Sequence, residues 1–156
     1  MLIKKLMFIL IVFFVIVGVG AADAVAKNNL PNGYGGLHFG DKLPKVFKYI
    51  GDVPFGEKQY EDPENLGEDF FGLKPARVVY TFYKNRLCSV DIFLGKTNLA
   101  EAKKYLLKQI EIKPCGAAAP NSILWQSELQ TMSIGPESDG GVRINLSSME
   151  FMSDGH

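Results

Sequence analysis

Arg77-Val-Val-Tyr-Thr-Phe-Tyr-Lys-Asn-Arg-Leu-Cys-Ser-Val-Asp-Ile-Phe-Leu94 is the stretch on which the reading of the fold turns. Two runs rich in β-branched and aromatic residues flank the polar Lys84-Asn85-Arg86, which is the pattern of a β-hairpin. Side chains in a strand alternate between faces, so the length of the loop decides which residues share a face. A two-residue loop sets Val78 opposite Asp91. A three-residue loop, with Asn85 or Arg86 left-handed, sets Val78, Tyr80 and Phe82 beside Cys88, Val90 and Ile92. The second pairing lays apolar against apolar, so an odd loop is expected. On that register Val79, Tyr83, Leu87 and Phe93 share the other face with Thr81, Ser89 and Asp91. Four large apolar side chains among seven are too many for a face wetted only by water. Either the chain itself or a partner is expected to cover it.

Working back from the hairpin, residues 52–75 carry three prolines, three glycines and seven acids, with no helical or strand period. They also carry Phe55, Tyr60, Phe70 and Phe71, too many apolar side chains for a free linker. The segment is expected to lie against the domain as the cover of the hairpin's second face, with Asp69-Phe70-Phe71-Gly72 forming a short strand. Before it, Asp41 is a good N-cap, Pro44 falls in a first turn, and Leu43, Val46, Phe47 and Ile50 follow helical spacing. Gly51 stands where a left-handed C-cap would come. These features predict a helix over 41–50. Tyr34 to Gly40 could hold one short strand, although three glycines in seven residues weaken it.

Working forward, Asn98-Leu-Ala-Glu101 matches a capping box, and Leu99, Ala102, Leu106 and Ile110 form one apolar stripe. A second helix is predicted there, ending before Pro114. Residues 122–126, 129–134 and 142–148 read as strands, with Glu137 to Gly141 as the turn between the last two. Their alternation is that of a sheet with one buried face. The fold class expected is α+β: a single antiparallel sheet with two helices on one face, in the order β-α-β-β-α-β-β(-β). The helix-then-hairpin order occurs twice and suggests two similar units.

The beginning of the chain reads differently. Lys4 and Lys5 precede the apolar run Leu6 to Val19, and Ala24-Val25-Ala26 ends a small-residue zone. That is the layout of a secretory signal peptide over residues 1–26; an uncleaved segment would instead be a membrane anchor. Residues 27–33 are expected as a flexible leader, 34–150 as one domain and 151–156 as a disordered tail. Removing Lys4, Lys5 and Asp23 with residues 1–26 leaves 15 basic and 16 acidic side chains, a formal charge of −1. That balance excludes the excess of Lys and Arg on which nucleic-acid or anionic-membrane binding relies. Cys88 and Cys115 are the only cysteines, and export makes them a candidate disulfide. Closing that span would stabilise by about 3.5 kcal/mol. The alternative is two separate small apolar residues.

Chemistry is thinly represented. His38 and the terminal His156 are the only histidines, and there is no nucleophile elbow, zinc-protease or phosphate-loop motif. No cofactor or metal motif is found. The acids Glu57, Glu61, Asp62, Glu64, Glu68 and Asp69 could serve a small hydrolase together with His38, or could bind calcium, although no EF-hand spacing exists. The reading placed first is a non-catalytic, exported binding module, periplasmic or secreted. Val79, Tyr83, Leu87, Phe93, Phe70 and Phe71 are its candidate contact residues. Its partner is another envelope protein or a second copy of the chain.

Overall fold

The computed structural model describes residues 30–64 and 66–152. The signal-peptide reading of residues 1–26 lies outside them, as do 27–29 of the leader and 153–156 of the tail. Among the described residues no helix is long and apolar enough to cross a membrane. The described residues form nine strands: β1 (Gly33–Tyr34), β2 (Leu37–His38), β3 (Lys48–Val53), β4 (Glu57–Glu61), β5 (Arg77–Tyr83), β6 (Arg86–Phe93), β7 (Ile123–Gln126), β8 (Gln130–Pro136) and β9 (Val142–Ser148). Helix α1 spans Leu99–Gln109, and the one-turn α2 spans Met149–Met152. The protein is mixed α and β, dominated by sheet. The expected single sheet is corrected to two. A seven-stranded antiparallel sheet has the order β3-β4-β5-β6-β9-β8-β7, and β1-β2 form a separate pair.

The central hairpin reaches the expected pairing by a different device. Tyr83 pairs with Arg86, so the loop is only Lys84-Asn85, with φ of 46° and 64°. Two left-handed residues in succession make the turn whose twist suits a hairpin. One step on, Phe82 pairs with Leu87 while Thr81 pairs with Ser89, leaving Cys88 as the extra residue of a β-bulge. An even loop plus one extra residue has the parity of an odd loop. Tyr80 therefore faces Val90 and Val78 faces Ile92, as the apolar pattern requires. The difference is Leu87, which lies on the turn side of the bulge and falls on the core face with Phe82, 0% exposed.

The helix expected over 41–50 does not form. Asp41 instead accepts a bond from the His38 amide, Lys42 bridges to Arg86, and a turn at Pro44–Phe47 leads into β3. Leu43 and Phe47 pack against the core from this extended path, while Val46 points outward. Helical spacing and a turn put the same two side chains inward here. The run Val46 to Ile50 is β-branched and aromatic, which favours the strand. Gly51 lies beside a register shift in β3 rather than at a left-handed cap. Without this helix there is no repeated helix–hairpin unit.

The core face carries Val78, Tyr80, Phe82, Leu87, Val90 and Ile92, continued by apolar side chains of β8 and β9. Helix α1 covers part of it through Ala102 and Leu106. Asn98 caps that helix, its side-chain oxygen accepting from the amides of Ala100 and Glu101 at 3.0 and 3.2 Å. Beyond the helix, the core face is lined by non-helical pieces. Phe47 meets Tyr80 at a tilt, 4.8 Å between ring centres, and Tyr60 of β4 meets Phe82 at 5.6 Å. Leu30 is buried in the core, so the leader is anchored from that residue. Phe151 of α2 lies against Gly40, so residues 151 and 152 belong to a helix and not to the expected disordered tail.

Candidate functional site

Two miniature hairpins stand over the β4–β5 part of the core face. In the first, Gly35 and Gly36 turn β1 into β2 with φ of 63° and 81°. Both lie in the left-handed region that glycine occupies without strain. A Cβ at Gly35 would fall 2.5 Å from the Tyr80 hydroxyl, so the turn can seat itself on the sheet only without a side chain there. In the second, Phe70 and Leu73 exchange two backbone hydrogen bonds around Phe71-Gly72. Phe71 has φ 50° and Gly72 φ 83°, the two-residue turn again, but with an aromatic residue in the first left-handed position.

Tyr34 ties the two together. Its hydroxyl donates to the Glu68 carbonyl and lies 3.1 Å from that of Leu66. Gly67 passes so close to the Tyr34 ring that a Cβ would come within 2.7 Å of it. The Phe70 ring meets Tyr34 edge-on at 5.9 Å and 63°, and Phe71 meets Phe70 at 4.8 Å and 76°. Each ring thus stands nearly at right angles to the next. Between the hairpins lies a cleft of about 590 Å³ with a floor of glycine backbone. Among the described residues the charged ones lining it are Glu68 and Asp69. The Tyr34 phenol is pushed up to about 12, first by burial and then by the negative charge of Asp69 and Glu68.

The second face of the large sheet carries a polar row beside Val79, Tyr83 and Phe93, so it is less apolar than the sequence suggested. Gln59, Thr81, Ser89, Ser147, Thr131 and Gln126 align in one cross-strand row from β4 to β7. Ser89 and Ser147 hydroxyls are 3.0 Å apart, and Ser147 donates to the Asn145 side-chain oxygen at 2.8 Å. The Asn145 amide donates to Ser89 and to Asp91 at 3.0 and 2.9 Å. Desolvation raises the Asp91 pKa, opposed by the Asn145 bond and by Arg143. These buried polar groups satisfy one another, which is what burial demands of them.

The candidate residues are accordingly divided. Val79, Tyr83 and Phe93 remain on the polar face, Val79 opposite Asp91 and Phe93 beneath the Arg77 guanidinium at 5.3 Å. Leu87 belongs to the core through the bulge. Phe70 and Phe71 line the cleft. The expected cover does not form as drawn, because Tyr60 and Phe70 pack on core-face side chains. Phe55 stands 73% exposed at the tip of the β3–β4 hairpin.

The acids do not gather around His38, whose side chain is 69% exposed and lies 3.6 Å from Asp41. Glu61 instead pairs with Arg77, while Glu68 and Asp69 line the cleft. Among the described residues no group of three or more His, Cys, Asp or Glu side chains is placed to hold a metal. Cys88 and Cys115 are both free, the first buried and the second exposed. Cys115 bonds to Leu124 at the outer edge of β7, and β9, β8 and β7 separate that edge from β6. Four strand spacings amount to roughly 19 Å, far beyond the reach of a disulfide.

Sequence reasoning missed Tyr34 and its glycines as a site. The signal was present in Tyr34-Gly35-Gly36-Leu37, because a Gly-Gly pair between short apolar residues marks a two-residue hairpin turn. Comparison of the chain with protein-family models, with curated proteins and with solved structures found no match in any of the three.

Proposed function

We propose that the chain is an exported, non-catalytic binding module. It works in a periplasmic or secreted space after loss of residues 1–26, and the cleft beside Tyr34 is its binding seat. One observation carries this reading: Phe71 occupies a left-handed turn position at the rim of that cleft. An L-residue with a side chain is strained there by about 1–2 kcal/mol, and glycine would remove the strain. Retaining an aromatic ring at that position is understandable if the ring meets something. The ring is 37% exposed, so it is accessible from outside. On the opposite side of the sheet Ser89, Asp91, Asn145 and Ser147 are already hydrogen-bonded to one another, which supports the choice of seat.

Replacing Phe71 with a photo-crosslinking phenylalanine analogue, in cells that produce the full chain, tests the seat directly. An adduct with another envelope protein, a small molecule or a second copy is expected after irradiation. Recovery of the unmodified monomer alone would end the proposal. Export has its own test. The N-terminus of the mature protein should be Lys27, following the Ala24-Val25-Ala26 site. Retention of residues 1–26 in the membrane fraction would replace the signal peptide with an anchor.

A further inference from the structure

We infer that the Phe71 rim is the contact surface of a two-fold homodimer, in which the acidic side of the patch on one copy meets the lysines of helix α1 on the other. This rests on the binding reading above and names the partner as a second copy of the chain. The turn that holds Phe71 touches the helix, because a Cβ on Gly72 would lie 3.0 Å from the Tyr105 hydroxyl. Phe71 and Tyr105 are brought together across that contact, and both rings are exposed.

Charges of opposite sign flank these rings. Toward Tyr34 lie Glu68 and Asp69, which line the cleft, and no Lys or Arg occurs between Glu61 and Leu73. On the helix, Lys104 and Lys108 are one turn apart, both exposed, and they bracket Tyr105 in the sequence. Glu101 stands nearer the helix start, so lysine still outnumbers acid on that side. Among the described residues Glu68, Asp69, Lys104 and Lys108 form no ion pair. Each side also carries an exposed leucine: Leu66, whose carbonyl faces the Tyr34 hydroxyl, and Leu107, between the two lysines.

A patch that is apolar at its centre, negative on one side and positive on the other is self-complementary. A half-turn about its centre sets acid against lysine and leucine against leucine, which is the condition for an isologous contact. The rings then form the dry centre and the charges the polar rim. An unrelated partner would need only one sign at this rim. The presence of both signs in one patch selects a second copy.

Sedimentation velocity tests this on the protein purified as the cell processes it. A monomer should pass to a dimer as concentration rises, and added salt should lower the dimer fraction by screening the rim. Two charge-reversed variants, Glu68→Lys with Asp69→Lys and Lys104→Glu with Lys108→Glu, should each weaken self-association by about tenfold. Mixed in equal amounts, they should associate again as a heterodimer. All four positions are exposed, and the fluorescence of buried Trp125 checks that both variants keep their core. Monomer at every concentration overturns the inference; a Phe71 cross-link to some other molecule then leaves the binding seat standing, and no cross-link removes both. A dimer indifferent to both reversals, or a mixture that stays monomeric, also overturns it, because acid and lysine would not meet across the contact.

Discussion

Leu87→Ala distinguishes the bulged hairpin from the simple three-residue loop. In the structure Leu87 is 0% exposed and sits opposite Phe82 on the core face. In a three-residue loop it would lie opposite Tyr83, on the face with Ser89 and Asp91. Truncation to alanine removes three carbons, worth about 2.4 kcal/mol at about 0.8 kcal/mol for each buried methylene. The space left behind adds to this, and deep-core leucines lose about 2.7–5.0 kcal/mol in all. A bulge beside the site lets the backbone relax, which favours the lower end, about 3 kcal/mol. A surface leucine would lose about 0.5 kcal/mol or less. Urea denaturation suits the measurement, because Trp125 is the only tryptophan and is fully buried, so its fluorescence reports the core. The slope should be unchanged and the midpoint lowered. A loss under about 1 kcal/mol with an unchanged slope would refute the bulge at Cys88. Lys84→Gly supplies the second half of the test. Lys84 has φ 46°, so glycine there should relieve about 1–2 kcal/mol of left-handed strain against an entropic cost of about 0.5–1 kcal/mol, a small net gain, and a destabilised variant would argue against the two-residue turn.

The remaining predictions concern the cysteines, the polar face and the helix. In the native protein a thiol reagent should modify Cys115 and spare Cys88, which is buried, with its thiol pushed up to about 12 chiefly by desolvation. Equal reaction of both, or of neither before reduction, would contradict two free thiols so differently placed. For Asp91 the sign follows from its raised folded pKa. The carboxyl contributes stability below the ordinary aspartate range near pH 4, and that contribution is lost as pH rises through the folded value. Asp91→Asn should therefore gain on the wild type as pH rises from about 4 to 7, read from denaturation midpoints. A difference independent of pH would mean Asp91 is not desolvated. Asn98→Ala should cost about 1 kcal/mol by removing the cap of α1, with α1 amide exchange accelerated; unaltered exchange would show that the tertiary contacts of Ala102 and Leu106 hold the helix without it.

How much of this fold could be read from the chain depends on what each residue pattern constrains. The pairings of Val78 with Ile92 and Tyr80 with Val90 were legible, because the apolar residues on one face admit only one parity. The means of achieving that parity was not. A two-residue turn with a bulge and a three-residue loop give the same register from Ser89 onward, and they differ in where Leu87 and Cys88 go. Helix α1 was legible for a related reason: its cap, its stripe and the downstream proline agree with one another. Over 41–50 such agreement was misleading. Leu43 and Phe47 are four apart, which satisfies a helix face, but one turn and an extended path bring the same pair inward. The β-rich composition of Val46 to Ile50 was the competing signal, and tertiary pairing with β4 decided between them.

The strand β4 carries this argument furthest. Glu57-Lys-Gln-Tyr-Glu61 offers a single large apolar residue, Tyr60, and no sequence period marks it as a strand. It becomes one because β5 presents a free edge beside it and Tyr60 can reach Phe82 and Tyr49 across the core face. The chain between β4 and β5 returns over the core face, where Phe70 is buried and Leu73 packs. That return path brings Gly67, Phe70 and Phe71 against Tyr34. The cleft is thus a consequence of long-range strand pairing rather than of any local motif. Its aromatic residues could be counted in the sequence, but the side of the sheet on which they meet could not be assigned until the pairing of β4 was known.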